Sequence, residues 1–507
     1  MIIAILVVLN LIFSNFYWHL DLTENKVYSL SPVTKDILKN LDDLITVKVY
    51  FSKDLPVNLS LVKTEVNDLL SNFNGYAGGN IKIEYKDPAD NEEILQEVNM
   101  LGIPKLQFNT VSKDEYIIKE GYLGLALFFE DNKEVLPVVQ SLDNLEYELV
   151  RMIKHLQKGV KDKIYFISGH QESDLEINLQ SLKKILEEQY EISSFDLVQA
   201  DNIPIDINTL IIAGPREDFS DKELYLVDQF LMRGGSLLVL DEGVKLGENL
   251  EATDTEQSKL FSLIDHYGIK INNNLVLDSS RAMAPFSSGF ITFSVPYSLW
   301  PKIDQNGFNT ENVMVSKLES LVLPWVSSLD LQDSDEDTQI ISLVSTSPKS
   351  WLQIENYNLD PNAQYNLNTL NLEKHVLAGF VSGQIDSYFK DKEKPVLENG
   401  GDSFIDSTNE ARVIVVGDSD FIEDSFLKSN PGNLIFAQNI IDGLSQDSDL
   451  INIRSRGMTN RPLEEMNDSQ KVFWKYFNIF AAAIIVIIYG VLRFFLRKKN
   501  NFEDNLL

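Results

Sequence analysis

Along the chain, apolar and polar residues fall into two periodicities that alternate. Thr46 to Ser52 (TVKVYFS) alternates as a half-buried strand does, Leu61 to Phe73 has helical spacing, and Ile81 to Tyr85 alternates again. Leu101-Gly102-Ile103-Pro104 follows a short predicted helix. Gly121 to Glu130 and Glu134 to Val139 read as a hairpin across Asp131-Asn132. Leu142, Leu145, Leu149, Ile153 and Leu156, three and four apart, predict a closing helix. This β-α-β start with a hairpin and a final helix predicts a thioredoxin-like N-terminal α/β domain over 21–160. Ser52-Lys53-Asp54-Leu55-Pro56 stands where such a fold would carry a redox CxxC.

From Lys163 the strands become apolar throughout. Lys163 to Ser168 ends at Gly169-His170, Leu210 to Ala213 at Gly214-Pro215, Ser236 to Leu240 at Asp241-Glu242, and Ala411 to Val416 at Gly417-Asp418-Ser419-Asp420. Helices are predicted between them, one through Leu175, Leu179, Leu182 and Leu186, another from a Ser220/Glu223 capping box to Gly234-Gly235. Uniformly apolar strands alternating with helices predict a doubly wound parallel sheet over 161–470. An inserted region at about 245–405 mixes a helix (Thr255 to His266), strands near Ile340 to Ser345 and Val376 to Val381, and polar loops.

The ends read differently. Met1 to Leu20 carries no charge and as a helix spans about 30 Å; Phe16, Tyr17 and Trp18 suit an interfacial belt. Tyr476 to Leu492 is uncharged and is followed by Arg493, Arg497, Lys498 and Lys499. One transmembrane helix at each end is therefore expected, with a cytoplasmic tail over 497–507. The positive-inside rule places both termini in the cytoplasm of a bacterial inner membrane and the body in the periplasm.

Composition narrows the function. The 507 residues carry a net charge of -32, and Asp21 to Val472 holds 39 basic against 74 acidic residues, which excludes an extended phosphate-binding face. With no cysteine there is no disulfide, thiolate metal site or cysteine nucleophile. GxxxxGK[ST], a strand-following GxGxxG, GxSxG, HExxH and an EF-hand loop do not occur. The strand ends hold the candidate chemistry: His170, Glu172, Arg216, Asp241, Glu242, Asp418 and Asp420 all follow predicted strands, where open α/β sheets bind ligands. A carboxylate-rich crevice there suits a hard cation, or a sugar or peptide held by hydrogen bonds. The bland reading is that these are helix caps and Asx turns.

Asp21 to Pro32 (DLTENKVYSLSP) is similar to the start of the gliding-motility auxiliary (GldG) family of ABC transport components. Tyr165 to Glu172, Leu210 to Pro215, Asp228 to Asp241, Ser345 to Trp351, Val413 to Phe421 and Asn452 to Arg456 match further blocks in order. The resemblance implies a non-catalytic subunit without cofactor, working with a separate ABC permease and a separate ATPase. It also implies a central domain like class I glutamine amidotransferases, whose Cys-His-Glu reaction a cysteine-free chain lacks. Asp21, Leu22, Thr23, Tyr28 and Ser29 are candidates for docking on the permease, and envelope or gliding-machinery proteins for further contacts. An extracytoplasmic module binding a glycan, peptide or lipid, and a divergent hydrolase built on His170, are the alternatives.

Overall fold

A computed structural model describes residues 29–445 apart from Asp54 and the stretches 113–114, 140–144, 248–250, 255–257, 289–290, 335–336 and 397–402, together with Ile453, 473–477, Phe480 and 489–490. The chain divides into two units, Met1–Met458 and Thr459–Leu507. The first contains two main sheets.

The N-terminal sheet is assembled from α1 (Pro32–Lys39), β1 (Ile45–Phe51), α2 (Val57–Tyr76), β2 (Ile81–Lys86), α3 (Glu92–Met100), the hairpin β3 (Leu106–Ser112) and β4 (Glu115–Gly121), then β5 (Leu123–Phe129), β6 (Asn132–Leu136) and α4 (Leu145–Lys158). Its order is β2-β1-β5-β6, with β1 and β2 parallel and β5 antiparallel to both β1 and β6. Alternation along β1 sends Ile45, Val47, Val49 and Phe51 to the face covered by α1, α2 and α4, where Leu38, Leu70, Phe73, Leu149 and Ile153 are buried. Tyr50 points the other way, onto Val98 and Ile103 beside α3. Ser31 caps α1, its hydroxyl accepting from Thr34 N at 2.8 Å, and Glu146 of α4 accepts from Ser31 N at 2.7 Å. The Ser31-Pro32 pair thus begins a helix and fixes it to α4.

The central sheet starts with β7 (Asp162–Ser168), α5 (Gln180–Leu186), β8 (Tyr190–Asp196), β9 (Ile207–Ala213), α6 (Asp221–Met232) and β10 (Ser236–Leu240). The inserted region follows: β11 (Val244–Leu246), β12 (Ala252–Asp254), α7 (Lys259–His266), β13 (Ile269–Ile271), β14 (Leu275–Asp278), β15 (Arg281–Ser288), β16 (Ile291–Ile303), β17 (Leu321–Val322), β18 (Leu329–Leu331), β19 (Thr338–Ser345), β20 (Ser350–Gln353) and β21 (Val376–Asp386). Then come β22 (Ser407–Val416), α8 (Asp424–Leu427) and α9 (Pro431–Leu444).

Strands β8, β7, β9, β10 and β22 run parallel in that order. Both faces are buried, as their apolar runs require. Leu238, Leu240, Ile414 and Val416 pack with Leu182, Phe436 and Ile440 on one side. Leu237, Val239, Val413 and Val415 pack with Leu224, Leu231, Leu260 and Leu263 on the other.

Two expectations are corrected. The mixed α/β class holds, but the central sheet is not a doubly wound parallel sheet throughout. Beyond β22 it continues through β21, β18 and β13, with β19 beside β21, and all of these pairings are antiparallel. These strands come from the inserted region, and antiparallel pairing needs no crossover helix between them.

The transmembrane helices expected at Met1–Leu20 and Tyr476–Leu492 are also not supported. Among the described residues no helix is long and apolar enough to cross a membrane. Met1–Leu20 and most of 476–492 lie outside the described residues. An uncharged run of this length meets the compositional requirement for a span without by itself specifying a helix.

Candidate functional site

The crevice at the carboxyl ends of the parallel strands is the place where the sequence concentrates polar chemistry. Chain order moves from β7 to β8 on one side and then to β9 on the other, which puts the topological switch point between β7 and β9. The protein closes it with its own backbone. Arg216 N and Glu217 N donate to His170 O at 2.8 and 3.1 Å, and Ser173 N donates to Ala213 O at 2.9 Å. Gly169 and Gly214 supply the left-handed turns, φ 118° and 65°, that let the two loops meet.

His170 is buried in this closure, its ring stacked 4.0 Å from that of Phe219. Its Nδ1 lies 3.2 Å from Glu172 Oε1 and its Nε2 3.2 Å from Glu223 Oε2. Burial alone would push the imidazole down, but the two carboxylates outweigh it and hold its pKa above the ordinary value. Glu223 is lowered despite its own burial, because Ser220 and His170 hydrogen-bond its charged form. Both ring nitrogens are engaged by carboxylates, so neither is disposed to take a proton from a nucleophile.

A second group sits one strand further along. Asp241 and Glu242 follow β10, and Asp418 and Asp420 follow β22; Asp241, Glu242 and Asp418 are buried. Lys245 Nζ pairs with Asp241 Oδ1 at 3.1 Å and also donates to Pro215 O. Glu242 Oε2 accepts from Ser419 N at 3.1 Å and Ser419 Oγ at 2.8 Å. Asp418 Oδ1 accepts from Asp420 N at 2.8 Å and Phe421 N at 3.3 Å, while its buried Oδ2 has no hydrogen-bond partner among the described residues.

Desolvation dominates this group. Burial pushes Asp241 up to about 7 against the pull of Lys245, and raises Glu242. Asp418 lies well above its usual range through burial, with Asp420 and Glu242 adding to it. Asp420 is pushed up to about 8 by burial and by Glu242 and Glu423, with Arg216 opposing. Among the described residues no set of three or more His, Asp or Glu side chains is arranged to hold a metal ion.

The seven strand-end residues therefore separate into a His170–Glu172 clamp, an acid group of Asp241, Glu242, Asp418 and Asp420, and Arg216. The Arg216 side chain is exposed and reaches Leu246 O at 3.4 Å along a cavity of about 410 Å³ that Asp241 and Lys245 also line. Sequence reasoning missed Glu223 as a partner of His170. It reads as a helix cap, which it also is, and its second contact is formed across 53 residues. Lys245, four residues after Asp241, carries no signature of its pairing. Of the docking candidates, Asp21, Leu22, Thr23 and Tyr28 lie outside the described residues; Ser29 is half-buried just before α1.

The body is a mixed α/β fold whose strand-end crevice is closed by its own backbone. The chain belongs to the ABC-type uncharacterized transport system auxiliary family, whose model matches residues 161–451. A domain of unknown function matches 24–128. An uncharacterized protein of Borreliella burgdorferi is 27% identical over 515 residues, covering 98% of this chain and 97% of its own length. A solved structure, the mmIFT52 N-terminal domain, is 17% identical and covers 56% of this chain and 97% of its own, with a TM-score of 0.36.

Proposed function

We propose that the protein is a non-catalytic auxiliary subunit that works with a separate permease and a separate ATPase, its folded body contacting partners on the side opposite the ATPase. In the narrower form of this reading the complex serves gliding motility. The family assignment supports the transport setting. The observation that carries the non-catalytic part is the occupation of both His170 nitrogens, at 3.2 Å from Glu172 and from Glu223, inside a crevice closed by backbone hydrogen bonds. Purified full-length protein is expected to release no phosphate from ATP and to turn over no ester, amide or glycoside reporter. Turnover that disappears in His170→Ala would overturn the reading and revive a hydrolase.

The cavity beside Arg216 favours a second reading, a module that binds a glycan, peptide or lipid. Saturable binding to the protein, lost in Arg216→Ala, is its expected signature.

A further inference from the structure

The acid group at the ends of β10 and β22 presents a problem of charge. Four carboxyl groups converge there, with Glu423 beside Asp420. The cations facing them are Lys245 from β11, held by Asp241, and Arg216 from the loop after β9, which acts on Glu242 and Asp420. With every carboxyl ionised the group would keep uncompensated negative charge in a buried place, which desolvation penalises. Asp418 shows where the difficulty lies. Its Oδ1 accepts two backbone N–H bonds, whereas its Oδ2 is buried without a partner among the described residues, as suits a neutral acid and not an anion.

The neighbouring clamp has the same dependence. His170 joins the loop after β7 to the first turn of α6 through Glu172 and Glu223, and its carbonyl holds Arg216 and Glu217. The charged groups facing its ring are those two carboxylates, so a neutral imidazole, with a single N–H, would leave one of them against an unprotonated ring nitrogen. Ser173 Oγ donates to Glu423 Oε1 at 3.1 Å, which links the β7 loop to the β22 loop.

We propose that this edge of the sheet is a proton-held latch. Protons on the acid group at the ends of β10 and β22, and the proton on His170, keep the loops after β7, β9, β10 and β22 closed over the crevice, and their loss lets these loops part. The sign is the same for every group. The folded-state pKa values of His170, Asp241, Glu242, Asp418 and Asp420 are all raised, so each contributes stability that is complete below its unfolded pKa and is lost as pH rises through its folded one. With Asp241 at about 7 and Asp420 at about 8, the latch opens between neutral and mildly alkaline pH.

Amide hydrogen exchange of the full chain, corrected for intrinsic base catalysis and compared at pH 6 and pH 9, tests this. Protection over 169–173, 214–219 and 417–423 is expected to fall by about tenfold or more, the equivalent of one pKa unit, while β1 and β5 of the N-terminal sheet hold theirs. Asp418→Asn with Asp420→Asn, which mimics the neutral acids, is expected to remove most of the fall at 417–423. Should that pair of changes not fold, Glu242→Gln serves the same comparison. Wild-type protection that does not change with pH, or an undiminished fall in the neutral variant, would overturn the latch.

Discussion

The parallel and antiparallel halves of the central sheet are built on opposite rules. Strands β7, β9, β10 and β22 carry apolar runs buried on both faces, are each followed by Gly or Asp, and place the polar crevice residues at one edge. Strands β13, β18, β19 and β21 are shorter or mixed in burial, and they come from an insertion with a separate small core around Trp351, Tyr297 and Leu299. The parallel half positions chemistry, and the antiparallel half widens the sheet. What joins them is the antiparallel β21–β22 ladder together with a few close contacts beside it, and these contacts are where the comparison can be broken.

Gly417 is the severest of them. It sits at the end of β22, donates to Leu377 O, and accepts from Ser327 N at 2.7 Å; a Cβ there would stand 2.1 Å from Ser327 O. Gly417→Ala is expected to cost about 3 kcal/mol or more, through backbone displacement, or to abolish soluble expression. Chemical denaturation reads this directly, and a near-neutral result would show that the seam yields.

Asp228 of α6 is next. It is fully buried and accepts from Tyr267 Oη at 2.8 Å, Ser387 Oγ at 2.7 Å and Tyr388 N at 2.7 Å, all from the insertion. Asp228→Ala leaves three donors unpaired and is expected to cost about 3 kcal/mol, with exchange protection lost first at 387–389. Uniform destabilisation of the whole unit would mean that the two halves unfold as one.

Within the parallel half, Ile414→Val deletes one methylene from a fully buried position and is expected to cost about 1 kcal/mol by thermal unfolding. The smallest effect belongs to the N-terminal sheet. Lys53 and Asp90 pair at 2.6 Å but are largely exposed, and Lys53→Ala is expected to leave the denaturation midpoint unchanged within experimental scatter.

The two halves also differ in how far the sequence revealed them. The apolar runs at 163–168, 210–213, 236–240 and 411–416 each correspond to an observed strand, because a strand buried on both faces can hardly be written otherwise. The Ser220/Glu223 capping box began a helix as expected. The helix expected from Thr255 begins at Lys259, after Ser258 whose hydroxyl caps it, because a serine N-cap outweighs the polar spacing before it. Antiparallel pairing in the insertion was illegible, since β21 finds β22 and β19 by register and not by local composition. In the crevice, the placement of the titratable residues at strand ends was legible in the sequence, but their sorting into a clamp and an acid group depends on Glu223, Lys245 and Ser419, which lie far away in sequence or lack a motif. The hydrophobic ends were the opposite case, where composition alone suggested spans that the described helices do not support.

The most direct test of the auxiliary-subunit account is affinity purification of the tagged full-length protein from its native cell in mild detergent, with mass spectrometry of what accompanies it. A permease and an ATPase at fixed ratio, retained in His170→Gln, is the predicted result. The protein recovered alone, or with envelope proteins and neither transporter component, would contradict the account.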